Sequence, residues 1–345
     1  MRLRAFGLLA VVLLAAGACG GEGDAAPSAD AEDTQETTSL TVYSGRDEEF
    51  VGALFEQFTT DTGIELDVRY GDSAELAATI LEEGDSSPAD GFLSQDAGSL
   101  GAVAEAGLFT EVDQDTLERV DERFRSTDGL WVGTSGRARV AAYNTEALSE
   151  GDLPASILDF TDGSWKGRIG FPPTNSSFQA FVAGMIETEG EDATREFLEG
   201  LAANEPKAYE DNSSTVRALA DGEIEVGFVN HYYIYEVAAE DGDIPVANHF
   251  FTAGDPGALV NTAGVGILAT TDGADGAATL VDYLTGDEGQ TYFAEETFEY
   301  PVVDGFEPQE DLVPLEEIES PDIDLSDLGG TLEPALNLLA EVGLL

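Results

Sequence analysis

The chain is poor in basic residues, in sulfur and in long apolar runs. Only 14 lysines and arginines stand against 70 aspartates and glutamates in 345 residues, a formal net charge of -56, and lysine occurs only at Lys166 and Lys207. That balance argues against nucleic acid or an anionic membrane surface as a partner, because both are bound through counter-charge. A single cysteine, Cys19, excludes an internal disulfide. The two histidines, His231 and His249, have neither helical zinc spacing nor companion cysteines. Carboxylate pairs, elsewhere a pointer to general acid and base work, say nothing at this density of acid. Charge of this size usually accompanies disorder, yet 42% hydrophobic content in regular patterns argues for a folded chain. Acid spread along the whole length fits a surface adapted to high salt, where a short Debye length screens self-repulsion.

Arg2 and Arg4 precede an apolar run from Ala5 to Ala16, too short to span a bilayer but suited to the middle of a secretory signal. Ala16, Gly17 and Ala18 then lead into Cys19, which resembles the cleavage and acylation box of a bacterial lipoprotein. Residues 1–18 therefore read as a signal peptide, with lipidated Cys19 anchoring the protein to the outer face of the cytoplasmic membrane. Residues 19–38 contain no large apolar side chain and read as a flexible acidic tether. Just over three hundred residues remain, enough for two lobes with separate cores.

Strands and helices alternate along the folded part. Leu40 to Tyr43 reads as a strand, and a helix follows in which Phe50, Leu54, Phe55 and Phe58 share one face before Gly63 stops it. Ile64 to Val68 alternates as a second strand, Ala74 to Glu83 as a helix, and Gly91 to Leu93 as a third strand. A second series runs through strands at Arg139 to Tyr143 and Arg168 to Phe171, helices at Phe178 to Glu187 and Ala193 to Ala203, a strand at Lys207 to Tyr209, and a helix at Ser213 to Ala220. This βα order predicts mixed, mostly parallel sheets flanked by helices, with ligands gathering at the carboxyl ends of strands. Those ends fall at Ser44 to Glu48, Ser94 to Ala97 and Asn230 to Tyr233. No dinucleotide fingerprint, nucleophile elbow or internal repeat is present.

Tyr232 and Tyr233 follow the strand-like run Glu225 to Val229, directly behind Asn230 and His231. Two readings compete for them. As amphipathic core residues they would pack their rings and satisfy their hydroxyls. As ligands they would deliver hard oxygens to a cleft, and a phenol whose reference pKa is about 10 loses its proton near neutrality only beside a strongly charged cation.

Leu40-Thr-Val-Tyr-Ser-Gly-Arg46, Arg69-Tyr-Gly-Asp-Ser73, Ser87-Pro-Ala-Asp90, Ser135-Gly-Arg-Ala-Arg139, Trp165-Lys-Gly-Arg168, Asn230-His-Tyr-Tyr233, Asp255-Pro-Gly-Ala-Leu259 and Glu299-Tyr-Pro301 occur in one order. Together they resemble the ferric-ion-binding proteins of iron ABC importers, from about Leu40 to Pro301. The resemblance implies a two-lobe periplasmic-binding fold of the class II type that closes on Fe³⁺ and hands it to a permease and ATPase, acting as a monomer. The lobes would be residues 39–139 plus 264–312 and residues 140–263 plus 313–345. It places the metal on Tyr232 and Tyr233, with Tyr143 as a third phenolate. Asp47, where a histidine ligand is common, is a further metal ligand or else a surface charge, and Gln95, where another subgroup has glutamate, holds the loop or supports a ligand. Carbonate or phosphate would complete the shell, held by Asn175, Ser176, Ser177, Asn212 and Asn230, with Arg46 and Arg137 as a clamp. The alternatives are N-capping for the asparagines and serines and structural counter-charge for the arginines. A receptor for another small anion and a secreted hydrolase are the competing functions, the latter lacking any recognisable nucleophile.

Overall fold

A computed structural model describes residues 39–251, 254–309 and 312–345. The expected signal peptide, tether and Cys19 lie outside these residues. β1 (Ser39–Ser44) leads into α1 (Glu48–Thr62), which buries Phe50, Val51, Leu54, Phe55 and Phe58 on one face. Each such side chain contributes about 1.5–3 kcal/mol on full burial, enough to fix which face of the helix turns inward. Gly63 ends the helix at φ 77°, and its amide returns to the Thr59 carbonyl at 2.9 Å. β2 (Glu65–Tyr70), α2 (Ser73–Glu83) and β3 (Gly91–Ser94) continue the alternation, followed by α3 (Ala97–Glu105) and α4 (Gln114–Arg119). Because β1 pairs in parallel with both β2 and β3, the ends at Ser44 and Ser94 open on the same edge.

β4 (Val132–Asn144) is much longer than the strand expected at Arg139 to Tyr143. Its first half, Val132-Gly-Thr-Ser-Gly-Arg-Ala138, lacks the apolar alternation that marks a strand, although every residue in it is buried. The chain continues through β5 (Ile169–Phe171), α5 (Ser176–Glu189), α6 (Glu191–Ala203), β6 (Lys207–Ala208), α7 (Asn212–Ala220) and β7 (Val226–Asn230), close to the predicted boundaries. α8 (Tyr233–Asp241), β8 (Val246–His249), β9 (Val260–Ile267), α9 (Ala274–Leu284), α10 (Asp287–Glu295) and α11 (Leu328–Glu341) complete it.

The strands form a mixed nine-stranded sheet in the order β2-β1-β3-β9-β4-β7-β5-β6, with β8 paired to β4. All antiparallel pairs between these strands involve β4 or β9. β4 changes partner along its length: Val132 to Ala138 pair with β9, whereas Arg139 to Tyr143 pair with β7. β9 does the same, pairing with β4 up to Val265 and with β3 from Gly264 onward. These two strands tie the halves of the sheet together.

α11 packs against both α3 and α5. Its approach to α3 is possible because neither helix carries a side chain at the crossing: a Cβ on Gly329 would stand 2.5 Å from the Gly101 carbonyl carbon. Gly329→Ala is therefore expected to cost about 1–3 kcal/mol through forced separation of the helices. Urea unfolding at unchanged m-value reads this loss directly.

Candidate metal centre

β7 ends at Asn230, whose backbone pairs with Arg139 of β4. The next residue, His231, is fixed at three points. Its amide donates to the Ala138 carbonyl at 3.0 Å, its Nδ1 accepts the Ala138 amide at 3.1 Å, and its Nε2 lies 3.0 Å from the Phe298 carbonyl. The Nδ1 acceptor role puts the proton on Nε2, so the ring is a neutral strap with no lone pair left for a metal. Burial pushes this imidazole down to about 4. The chain then turns into α8, and Tyr232 and Tyr233 leave side by side with stacked rings, centroids 4.3 Å apart and planes at 30°. Phe50 of α1 meets both rings edge-on at 5.9 Å.

Groups from the other half of the sheet cover the two hydroxyls. Arg46, just after β1, points Nη1 at the Tyr232 hydroxyl at 3.3 Å, and Gln95, just after β3, points Nε2 at the Tyr233 hydroxyl at 3.4 Å. Both distances are at the long end for hydrogen bonds, and the two phenols also bond each other. Tyr232 and Tyr233 are 0% and 4% exposed, a closed arrangement. Burial raises the Tyr233 phenol well above its usual range, and the neighbouring Tyr232 adds to this while Arg46 opposes it. Ionisation there requires a strong positive charge on the oxygens themselves. Among the described residues, no group of three or more His, Cys, Asp or Glu side chains is placed to hold a metal. A metal at this centre would draw on phenol oxygen.

Several predicted residues do converge here. Asn175 caps α5, its Oδ1 accepting the Ser177 amide at 3.0 Å, the Ser177 hydroxyl at 2.6 Å and Asn212 Nδ2 at 3.2 Å. The Ser176 hydroxyl donates to Gln95 Oε1 at 3.1 Å, which joins the start of α5 to the amide facing Tyr233. Asn230 Oδ1 accepts from Arg139 Nη1 at 3.3 Å, while its Nδ2 and Asn212 Oδ1 are buried without a partner. Asp47 is exposed at the start of α1 and makes no capping bond. Partial desolvation raises its carboxyl, Arg46 opposes that shift and Asp211 adds to it, which sets Asp47 near both.

Two expectations are corrected. Tyr143 lies at the far end of the β4–β7 ladder, opposite Val226, four residues from the Arg139–Asn230 pair next to the tyrosines. At about 3.3 Å per residue that is roughly 13 Å along the strand. Burial raises its phenol, and Glu150 adds to that shift. Arg46 and Arg137 do not form a free clamp either: Glu299 takes Arg46 Nη2 on Oε2 at 2.8 Å and Arg137 Nη2 on Oε1 at 2.6 Å. Sequence reasoning saw Glu299 only as part of the Glu299-Tyr-Pro301 motif and gave it no place in the centre, because a carboxylate among 70 acidic residues does not by itself mark a site. It also passed over Glu236, one turn beyond Tyr233, which burial pushes up to about 7. His249 sits apart on β8, its Nε2 near the Pro154 carbonyl.

A family model of bacterial extracellular solute-binding proteins matches residues 85–323. The chain belongs to this family. An Fe(3+)-binding periplasmic protein of Serratia marcescens is 34% identical over 348 residues, covering 100% of each chain. Iron-bound HitA from Pseudomonas aeruginosa has the same fold at TM-score 0.85 and 34% identity, over 89% of this chain and 99% of that one. A Trichodesmium FutA protein in complex with iron and citrate matches at TM-score 0.75 and 30% identity, over 88% and 99%. The architecture is thus that of the two-lobe periplasmic iron-binding proteins, and this family member is a solute-binding protein and not an enzyme.

The neutral His231 strap has a pH signature. Its folded pKa of about 4 lies below the roughly 6.5 of a free imidazole, so its stabilisation is complete above pH 6.5 and is lost as pH falls toward 4. That loss amounts to roughly 3 kcal/mol at most. His231→Gln should flatten the acid limb relative to wild type across that window, as measured by urea unfolding at a series of pH values.

Proposed function

We propose that this chain is the iron-capturing component of an iron(III) ABC importer, holding Fe³⁺ through the phenolates of Tyr232 and Tyr233. The observation that carries this reading is the stacked tyrosine pair at the end of β7, whose hydroxyls share one side and are only loosely covered by Arg46 and Gln95. Two adjacent hard oxygens suit a small trivalent ion, and its charge supplies the pull that deprotonates a phenol as buried as Tyr233. Asp47 is the carboxylate we assign to the open side of the shell, because it lies in the neighbourhood of Arg46. Gln95 orients Tyr233 and does not bind the metal.

Capture would proceed by hinge closure. The lobes are residues 39–139 plus 264–312 and residues 140–263 plus 313–345. This division is supported by the change of strand partners between Ala138 and Arg139 on β4 and at Gly264 on β9. The tyrosines come from the second lobe and Asp47 from the first, so a cation bridging them favours the closed state in proportion to its differential affinity. The mature protein would be a monomer, anchored through lipidated Cys19, delivering its cargo to a permease with its ATPase. A receptor for a small anion alone is less well supported, since the two arginines best suited to grip one are already held by Glu299.

Adding ferric citrate to the purified protein should produce a visible phenolate-to-iron charge-transfer band. Tyr232→Phe and Tyr233→Phe should each weaken iron binding by at least about a hundredfold, and the double variant should stay colourless. A colourless wild type, or undiminished colour in the double variant, would overturn the assignment. Tyr143→Phe should leave the band unchanged.

A further inference from the structure

The group behind the tyrosines is a closed network centred on one carboxylate. Glu299 is 0% exposed, and Arg46 and Arg137 are each 1% exposed. Its Oε1 accepts Arg137 Nη2 at 2.6 Å, and its Oε2 accepts Arg46 Nη2 at 2.8 Å together with the Thr297 hydroxyl at 2.8 Å. The backbone holds it there from both sides. The Glu299 amide donates to the Phe293 carbonyl at 2.9 Å, and Tyr300 exchanges two backbone bonds with Gly136, next to Arg137, at 2.7 and 2.9 Å.

From this carboxylate two arms reach the two phenols. One is direct: Arg46 carries on from Glu299 to the Tyr232 hydroxyl at 3.3 Å. The other has one more link: Arg137 Nη1 donates to the Gln95 carbonyl at 2.5 Å, and the Gln95 side chain reaches the Tyr233 hydroxyl at 3.4 Å. Two guanidinium groups against one carboxylate leave one net positive charge behind the oxygens, which favours phenolate. A planar carboxylate shared between two guanidinium forks is also the arrangement a carbonate or phosphate would take at the same arginines. To bind there, an external anion would have to displace a carboxylate that is already bonded to both guanidinium groups.

A similar substitution is begun at the start of α5. The Asp72 carboxylate caps α2 through the Ala74 amide at 2.9 Å, and the Ser176 amide at the start of α5 also acts on it and lowers its pKa against the effect of burial. An internal carboxylate thus already faces the helix start where an external anion was expected.

We propose that Glu299 is the resident anion of the centre: it neutralises the arginine pair and positions both phenols, so that the chain takes up ferric iron without carbonate or phosphate bound at Arg46 and Arg137. This rests on the iron reading above and departs from the sequence expectation of a carbonate or phosphate held at the two arginines. Glu299 acts through Arg46, Arg137 and Gln95 and is a positioning residue, not a metal ligand.

The test compares iron loading of the mature protein in buffer stripped of carbonate and phosphate with loading after millimolar bicarbonate or inorganic phosphate is added. Affinity, from competition with a chelator, should change by less than about threefold, and Ga³⁺-loaded protein given isotopically labelled bicarbonate should show no bound carbonate resonance by carbon NMR. Tightening by more than about tenfold on adding either anion, or a bound carbonate signal, overturns the proposal. Glu299→Gln should acquire the missing dependence, loading at least about tenfold more weakly without anion and recovering with bicarbonate. If that variant does not fold, the wild-type comparison and the carbon spectrum still decide. Wild type that takes up neither Fe³⁺ nor Ga³⁺ in any buffer defeats the iron reading, and the role of Glu299 falls with it.

Discussion

Burying two guanidinium groups beside two phenols is tolerable only because one carboxylate sits between them. An unpaired buried charge is strongly destabilising, and a pair is tolerated only when geometry and additional hydrogen bonds meet every donor and acceptor. Glu299 engages both its oxygens with Arg46, Arg137 and Thr297, although Arg46 Nε and Arg137 Nε stay buried without a partner among the described residues, and residues from distant parts of the chain depend on it. Arg46 follows β1, Arg137 lies on β4, and Glu299 follows α10, so the three fix the relative position of segments more than 250 residues apart in sequence. The tyrosine platform, Phe50 and Gln95 are arranged around that fixed point.

Arg139 offers a contrast within the same centre. It is equally buried, yet it has no carboxylate partner; it donates to the Phe228 carbonyl at 2.7 Å and lies 5.3 Å from the ring centroids of Phe178 and Phe181. Burial pushes it down to about 9, with the two tyrosines opposing that shift. Carbonyl dipoles and aromatic faces do here what Glu299 does for its neighbours. Asp96 is a further buried carboxylate, held by the Ser99 amide, but most other ion pairs lie at the surface, where pairs such as Lys166 with Glu205 and Lys207 with Glu223 contribute little individually. The acidity of the chain belongs to its solvated face, and its internal ionic structure is small and specific.

How much of this was legible in the sequence depended on whether the information was local. The Phe50, Leu54, Phe55, Phe58 stripe and the stop at Gly63 are local signals, and α1 follows them to the residue. The Asn230 to Tyr233 run at a strand end is local too, and β7 ends there as expected. Tyr143 was misplaced because its distance from the pair depends on register: it stands at the end of its own strand, but β4 runs antiparallel to β7, so that end faces away. β9, Val260-Asn-Thr-Ala-Gly-Val-Gly-Ile267, was missed because it is buried on both faces and carries two glycines, which erases the alternation. α11 owes its position to contacts with α3 and α5, and the part of Glu299 depends on partners far away in sequence. Neither leaves a local trace.

The two hydrogen bonds between His231 and Ala138 have a mechanical consequence. Ala138 is the last residue of β4 paired to β9, and Arg139 is the first paired to β7, so the strap is bolted where the two halves meet. A platform mounted at a fulcrum has a short lever arm. In the hinge closure proposed above, a swing of one half about that point would carry the Arg46 and Gln95 loops and leave the phenols nearly in place. The jaws would move and the anvil stay still, so that a gripping surface could open widely without coming apart.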